Sequence, residues 1–328
     1  MKVISLCAIH GLKVTKTDEE FEFNDIKLIQ ASAQLNPEIF TESFFGQAGA
    51  INCRTFLNGP YFVRIEDVDS SNQRLLLRNY QVFKNEIRNL LNNLWFIKDN
   101  SVNPLGFYSF SPMLETNYYI GTSEGAGNTK ADGNMSGEEF SLNDLKSSFY
   151  ILEAVIKLIT ENKRREEAFQ ITFEPVMVSK SPMHFINHNT TNRIERALMF
   201  WACARLEKFL PLKISLFMSI LESLFSSNES GELSHKMSER VSLYLGGDSE
   251  KKNTTYKNVK GAYNVRSKFF HGQRQSSQLS QVESLAAISV KTDSIIRDVL
   301  NKVIKGDSAI FLESDDKLND YFLKLLFG

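Results

Sequence analysis

The chain has 328 residues, which is enough for about two domains with a sizeable core. Its 42% hydrophobic and 23% charged residues are typical of a soluble globular protein. The formal net charge of -1 excludes a protein that binds nucleic acid through an overall positive charge, so any contact with RNA or DNA requires a local basic patch.

The three cysteines, Cys7, Cys53 and Cys203, are odd in number and far apart, which argues against a disulfide framework and against a zinc–thiolate site. We therefore expect a reducing, cytoplasmic setting, with no metal and no cofactor. No stretch approaches the roughly 18 uninterrupted apolar residues of a transmembrane helix, so we expect no membrane partner. The apolar run at residues 3–9 is too short for a secretory signal and predicts a first strand.

The N-terminal half mixes strand patterns with one helix. Alternating apolar and polar residues predict half-buried strands at residues 21–29 and 61–65. Helical spacing predicts a helix over residues 81–95, with a buried stripe of Val82, Ile87, Leu90, Leu91, Leu94 and Trp95. After the break at Pro104-Leu-Gly106, further strands are predicted around residues 107–110 and 117–120.

Residues 121–137 are rich in Gly, Ser, Thr and Asn, but they contain neither GxGxxG nor the Gly-Lys-Ser/Thr ending of a phosphate-binding loop, so we predict a mobile surface loop. Ser141 is a candidate N-cap for a helix over residues 141–163. Residues 169–182 predict another strand followed by a break. Residues 1–182 are thus predicted to form an α+β domain of recognition or sensing type.

After Pro182 the pattern is helical throughout. We predict helices over residues 192–210, 212–225, 234–245, 256–271 and 281–304, separated by Pro211, Gly246-Gly247 and polar stretches. Residues 183–328 are therefore predicted to form an all-α bundle, in which residues 308–327 are a tail helix or docking arm.

The clearest candidate for a reactive site in the sequence is the run Arg266-Ser-Lys-Phe-Phe-His271. It lies in residues 256–274, which carry five Lys or Arg residues and no Asp or Glu. Arginine is a permanent planar cation suited to phosphate, and histidine gives or takes a proton near neutral pH. Because Gly272 follows directly, His271 is predicted to lie at a helix end. A proton-transfer group beside a fixed cation suits attack on a phosphodiester.

The spacing by itself favours a plain amphipathic helix, because Arg and His five residues apart occur by chance. Five residues along an ideal helix rotate about 140°, so the two side chains share one face only if the helix frays or a second chain completes the site. The spacing therefore points to a composite site as readily as to none.

Three blocks of the helical half resemble the Apea-like branch of the HEPN superfamily. They are Leu221-Glu-Ser-Leu-Phe225, residues 232–245 with Glu239-Arg-Val241 inside, and Lys260-Gly-Ala-Tyr-Asn-Val-Arg-Ser-Lys-Phe-Phe-His-Gly272. The last block carries Arg266, the polar Ser267 and His271 in the order that HEPN proteins have. Tyr263 and the Arg-Ser-Lys-x-x-His-Gly run sharpen the similarity to the Apea-like branch. The resemblance covers roughly residues 190–305 and does not reach the N-terminal half.

The resemblance implies a metal-independent endoribonuclease, often in a defence or toxin system, whose Arg and His commonly meet across a homodimer. His271 would act as general base or acid, and Arg266 would stabilise the charge that develops on the phosphoryl oxygens. DNA would resist cleavage because it lacks the 2′-hydroxyl. The residues expected to hold the RNA backbone around the cleavage point are Lys257, Lys260, Lys268 and Arg274.

Two residues are expected to support this site. Glu222 lies between Leu221 and Leu224, and we expect it to pair with Arg266 or Arg240 because an isolated buried charge is costly. Such a pair either fixes the bundle or orients the catalytic Arg, and both interpretations stay open. For Tyr263, packing with a satisfied hydroxyl is favoured over direct participation.

The remaining histidines give weaker signals. His184 and His188 have the i, i+4 spacing of helical metal ligands but lack the interposed Glu of HExxH, so a polar surface turn is favoured. His235, near a predicted helix start, is expected to face solvent.

The sequence thus predicts an endoribonuclease that cleaves single-stranded RNA as a homodimer, with a regulatory protein partner as a further expectation. The alternative is a non-catalytic HEPN-type module that binds RNA or protein. A nucleotide-binding or nucleotidyl-transfer regulator ranks third, because no carboxylate pair or Gly-Ser signature supports it.

Overall fold

The computed structural model describes residues 1–15, 21–30, 35–68, 73–112, 118–125, 127–160, 191–227, 233–274, 276–277 and 281–328. The chain divides into two compact units, one of Met1–Lys130 with Asn134–Leu152 and one of Ala131–Gly133 with Glu153–Gly328. The predicted boundary between residues 182 and 183, the predicted strand at 169–182, and both His184 and His188 lie outside the described residues.

The first unit contains an antiparallel sheet and flanking helices. Its strands are β1 (Lys2–His10), β2 (Leu12–Val14), β3 (Phe21–Phe23), β4 (Ile26–Ile29), β5 (Tyr61–Asp67), β6 (Asn103–Phe110), β7 (Tyr119–Ser123) and β8 (Glu138–Phe140). Its helices are α1 (Glu42–Ala48), α2 (Ala50–Asn58), α3 (Gln73–Asn93) and the first part of α4 (Leu142–Thr160), whose residues from Glu153 onward belong to the second unit. Six strands form one antiparallel sheet in the order β3-β4-β5-β1-β6-β7, and β2 pairs with β8 in parallel.

The predicted first strand is confirmed as β1, which pairs with β5 and β6 at the middle of the sheet. Because side chains alternate along a strand, Leu6 packs on one face with Phe44 of α1 and Phe56 of α2. On the other face Cys7 packs with Leu90 of α3 and with residues of α4. The sheet is thus covered by helices on both sides, which explains why β1 is almost continuously buried.

The strand predicted over residues 21–29 is instead a hairpin of β3 and β4. The turn residues Asn24 and Asp25 have φ of 46° and 61°, in the left-handed region that two-residue hairpin turns of the primed types require. Asn and Asp are the non-glycine residues that adopt this conformation most readily, so the turn signal was present within the alternating pattern.

The helix predicted over residues 81–95 begins earlier, at Gln73, and ends in a 3-10 turn over Leu94–Phe96. Leu76 and Tyr80 are 5% and 2% exposed and continue the buried stripe of the helix toward its N-terminus. Val82, which the pattern placed in that stripe, is 43% exposed.

The segment predicted to be a surface loop is partly buried, so that prediction is wrong for its central part. Asn128 and Thr129 are 5% and 0% exposed. Asn103 Oδ1 accepts hydrogen bonds from the backbone N–H groups of Gly127 and Asn128, at 3.0 and 2.7 Å. Asn128 Nδ2 donates to Asn92 Oδ1 at 3.1 Å. These amide groups satisfy one another and hold the segment in the interior.

The second unit is helical, as the sequence predicts. Its helices are α5 (Arg193–Leu206), α6 (Leu210–Phe225), α7 (Leu233–Leu245), α8 (Ser249–Phe270), α9 (Val282–Lys302), α10 (Ser308–Phe311) and α11 (Asp315–Phe327). A π turn over Val303–Asp307 joins α9 to α10. No helix in the described part of the chain combines the length and the apolar content needed to cross a bilayer.

Helix α6 lies at the centre of this unit, because it packs against α5, α7, α8 and α9. Its core-facing side chains are fully buried, among them Ile214, Met218, Leu221 and Leu224. Glu222 is the one carboxylate in this helix, and it faces α8.

The C-terminal segment docks on the unit as predicted. Phe225 at the end of α6 contacts the rings of Tyr244, Phe311 and Phe322, with centroids 5.5–5.6 Å apart. Phe322 of α11 is 4% exposed. This aromatic cluster joins α6 and α7 to the two last helices.

We predict that Phe225→Ala destabilises the helical unit by about 3–5 kcal/mol, because it removes the ring on which the aromatic cluster is built. Amide hydrogen exchange resolved by peptide should show the loss of protection in α6, α7 and α11. The control is Phe327→Ala, which truncates a ring that is 83% exposed and should change stability by less than about 0.5 kcal/mol. Equal protection of α11 in both variants would contradict the docking role of Phe225.

Candidate functional site

Helix α8 carries the residues that the sequence singles out, and both of its ends are well defined. At the start, the Asp248 carboxylate accepts a hydrogen bond from the backbone N–H of Lys251 at 2.8 Å, so the helix begins seven residues before the predicted start at Tyr256. At the other end, His271 is the C-cap and Gly272 has φ of 64°, the left-handed conformation that favours glycine after a helix. The prediction that His271 lies at a helix end is confirmed.

The orientation of α8 follows from its apolar residues. Val259, Ala262 and Val265 are fully buried and face the neighbouring helices. On an ideal helix the direction of Arg266 differs by about 100° from that of Val265, so Arg266 lies at the edge of the buried face. The direction of His271 differs by about 140° from that of Arg266. The helical geometry therefore turns Arg266 toward α6 and leaves the His271 imidazole exposed to solvent.

Arg266 pairs with Glu222, which confirms one of the two predicted partners. The guanidinium Nη2 donates to Glu222 Oε2 at 3.1 Å, and the two side chains are 26% and 20% exposed. The guanidinium also lies over two rings of its own helix, 5.7 Å from the centroid of Tyr263 and 5.2 Å from that of Phe270. These contacts fix the cation at the rim of the bundle, where one side of it still reaches solvent.

The pair retains unused hydrogen-bonding capacity. Arg266 Nε and Glu222 Oε1 are buried atoms that have no hydrogen-bond partner among the described residues. A pairing through one nitrogen and one oxygen is weaker than the two-bond fork that these groups can form. The guanidinium is therefore positioned by Glu222 but not saturated by it.

Burial raises the pKa of the Glu222 carboxyl above its ordinary value, and the Arg266 guanidinium opposes this by lowering it. Since the carboxyl binds its proton more tightly in the folded chain than in the unfolded one, its contribution to stability is greatest at acidic pH. That contribution falls as the pH rises through the unfolded and then the folded pKa.

The other candidate residues lie on exposed or flanking positions of α8. Lys257, Lys260 and Arg274 are exposed, and Ser267 and Lys268 are partly exposed. Tyr263 is also partly exposed and contacts Arg266 through its ring. Within one chain, the structure thus brings Arg266, Glu222 and Tyr263 together and leaves His271 pointing away from them.

Arg240, the other predicted partner of Glu222, is engaged elsewhere. Its guanidinium donates to the carbonyl oxygen of Phe225 at 2.8 Å and to Asn319 Oδ1 at 2.6 Å. The residue therefore ties α7 to the C-terminal helix.

Sequence reasoning missed Tyr256 and Phe270 as functional candidates. The Tyr256 hydroxyl lies 2.9 Å from His235 Nδ1 on α7, and Lys260 Nζ lies 5.6 Å from the centroid of the same ring. Phe270 is 59% exposed. The signal that could have found both rings is their spacing, since Tyr256, Tyr263 and Phe270 recur every seven residues on one helix face.

His235 is exposed at the start of α7, so its predicted solvent-facing position is confirmed. Within the described ranges, no group of three or more His, Cys, Asp or Glu side chains has an arrangement that could hold a metal ion.

Comparisons of the chain with protein-family models, with curated proteins and with solved structures found no match.

We predict that Arg266→Met moves the pKa of Glu222 further upward, because Met keeps the apolar stem but removes the cation that opposes burial. The measurement is the pH titration of the Glu222 side-chain 13C signal, assigned by its absence in Glu222→Gln. Arg78→Met, which changes an exposed arginine of α3, serves as the control and should leave the titration unchanged. An unchanged or lower midpoint in Arg266→Met would show that the ion pair does not act on Glu222.

Proposed function

We propose that this chain is a metal-independent endoribonuclease of HEPN type that cleaves single-stranded RNA and works as a homodimer. The observation that carries the proposal is the end of α8, where a partly exposed guanidinium held by a carboxylate precedes an exposed imidazole by five residues. The residues around them are basic, with no Asp or Glu between residues 251 and 274. Together they offer a proton-transfer group, a fixed cation and attraction for a polyanion.

The proposed reaction is a transesterification within the RNA. His271 takes the proton of the 2′-hydroxyl as its oxygen forms a bond to the adjacent phosphorus, and the bond from phosphorus to the 5′-oxygen breaks. The leaving 5′-oxygen takes a proton from solvent, so that the products end in a 2′,3′-cyclic phosphate and a 5′-hydroxyl. Arg266 stabilises the negative charge that accumulates on the phosphoryl oxygens.

The orientation of the two side chains supports the proposed homodimer. Since α8 stays helical through Phe270, Arg266 and His271 of one chain face directions about 140° apart. A second copy is the simplest source of the missing group, because a two-fold arrangement would bring Arg266 of one chain beside His271 of the other.

Lys257, Lys260, Lys268 and Arg274 are proposed to bind the RNA backbone. Lys257, Lys260 and Lys268 lie on α8 and Arg274 follows its C-terminal end, and three of the four are exposed. Contacts to phosphate position the strand and make binding dependent on salt, but they carry no sequence information.

The proposed role of the first unit is recognition or sensing, with a regulatory protein partner as a further proposal. Its support is that it forms a compact unit separate from the one that carries α8. The defence or toxin role and the cytoplasmic setting rest on the sequence arguments given above.

The second candidate is a non-catalytic module that binds RNA or protein. The observation in its favour is the Arg266–Glu222 pair, because a guanidinium that is already bound to a carboxylate can serve the packing of α6 against α8 alone. In that case RNA should be retained and never cut.

We predict that His271→Ala lowers the rate of RNA cleavage by about 10²–10⁴-fold, the usual contribution of a general acid or base. The assay uses end-labelled single-stranded RNA with excess EDTA, and mass spectrometry identifies the 2′,3′-cyclic phosphate. His10→Ala is the matched control, because His10 is an exposed histidine at the end of β1 in the other unit.

Equal cleavage by the wild type and by His271→Ala would rule out this mechanism. Tight RNA binding without any cleavage by the wild type would instead support the non-catalytic module.

A further inference from the structure

We infer that one face of α8 is a stacking surface for the bases of single-stranded nucleic acid, and that it delivers the strand to His271. This surface, which we call the α8 track, consists of Tyr256, Lys260, Tyr263, Arg266 and Phe270. The inference deepens the proposed function and rests on it for the identity of the substrate. It adds that the enzyme holds unpaired bases through aromatic rings and not only phosphates through lysines.

The spacing of the rings places them in one row. Tyr256, Tyr263 and Phe270 are seven residues apart, and seven residues bring a helix to within about 20° of its starting direction. The row spans about 21 Å at a rise of about 1.5 Å per residue. Three rings in line provide stacking positions for about three bases along one strand.

Cations alternate with the rings along this row. Lys260 Nζ lies 5.6 Å from the centroid of Tyr256, and Arg266 Cζ lies 5.7 Å from that of Tyr263 and 5.2 Å from that of Phe270. Aromatic rings and cations on one face are the combination with which proteins bind single strands with little sequence preference, because every base has a π-face and every nucleotide a phosphate.

The first ring of the track is fixed from a second helix. The Tyr256 hydroxyl and His235 Nδ1 are 2.9 Å apart, and the two rings meet edge to face with centroids 5.7 Å apart. His235 is exposed, so this contact contributes little to burial. It holds the Tyr256 ring in one orientation before a ligand binds, which lowers the entropy lost on binding.

Charge decides the class of ligand. Residues 251–274 contain seven Lys or Arg residues and no Asp or Glu. The Glu222 carboxylate contacts the track, and it is already paired with Arg266. An apolar partner helix would have to bury Lys260 and Arg266, which is costly, whereas a polyanion with exposed bases matches both the cations and the rings.

The α8 track ends next to His271, and this position determines which kind of strand can reach the imidazole. Phe270 is the last ring and directly precedes His271, so a base stacked on Phe270 brings its phosphate next to the imidazole. Bases in a duplex are paired and stacked on each other and cannot stack on side chains. The track therefore selects single strands that cover several nucleotides on one side of the cleaved bond.

The test measures binding of single-stranded DNA, which lacks the 2′-hydroxyl and cannot be cleaved by the proposed reaction. A fluorescent oligothymidylate of about 12 nucleotides, within the range of single-strand binding sites, is titrated by anisotropy. We expect Tyr256→Leu and Phe270→Leu each to weaken binding by about fivefold to hundredfold, the range for the loss of one stacked base. The same oligonucleotide paired with its complement should bind less tightly.

Matched substitutions control for the loss of an exposed ring. Tyr150→Leu changes a tyrosine of α4 that is 73% exposed, and Phe327→Leu changes a phenylalanine of α11 that is 83% exposed. Both should bind the oligonucleotide like the wild type. Tyr256→Phe keeps the ring and loses only the hydrogen bond to His235, so it should bind much more tightly than Tyr256→Leu, which separates stacking from that hydrogen bond and from any failure to fold.

Wild-type affinity in Tyr256→Leu and Phe270→Leu, or no binding of single-stranded DNA by the wild type, would overturn the inference. So would weaker self-association of Phe270→Leu in sedimentation with no change in DNA affinity, because that result assigns the face to contact between copies. Ring-dependent binding of DNA without any cleavage of RNA would retain the track while refuting the nuclease.

Discussion

Burial of one face of α8 against the rest of the helical unit is the constraint on which the candidate site depends. Val259, Ala262 and Val265 are fully buried and set the rotation of the helix about its axis. Once that rotation is fixed, the position of every other α8 side chain follows from 3.6 residues per turn. Arg266 reaches the rim beside Glu222, and His271, as the C-cap, projects into solvent.

The Arg266–Glu222 pair affects both the charge of the carboxyl and the position of the guanidinium. Burial raises the pKa of Glu222, so the carboxylate gains from a nearby cation, and the cation in turn gains a fixed position. Buried pairs of this kind seldom add much net stability, because the desolvation of both charges offsets their attraction. The pair therefore matters more for the position of the guanidinium, whose Nε has no hydrogen-bond partner among the described residues, than for stability. The proposed nuclease and the proposed track both use that position.

Much of the helical unit could be predicted from the sequence, because caps and apolar periodicity are local signals. A partner for Glu222, either Arg266 or Arg240, also followed from the cost of a lone carboxylate on an apolar helix, and the structure shows that it is Arg266. The turn at Asn24 and Asp25 was missed although these two adjacent polar residues interrupt the alternation. The buried segment around Asn128 was missed because its amides bond to distant residues such as Asn103. For His271 and Arg266, the sequence could predict only the angle between the two side chains on the helix. It could not predict which residue completes the site, because the proposed residue belongs to a second chain.

The most direct test of the composite site is complementation between two inactive variants. Arg266→Ala and His271→Ala are purified separately, mixed under conditions that exchange subunits, and assayed for RNA cleavage. If Arg266 of one chain acts with His271 of the other, the mixed dimer contains one complete site, and cleavage returns to a substantial fraction of the wild-type rate. A mixture that exchanges subunits but stays as inactive as either variant alone would contradict the account.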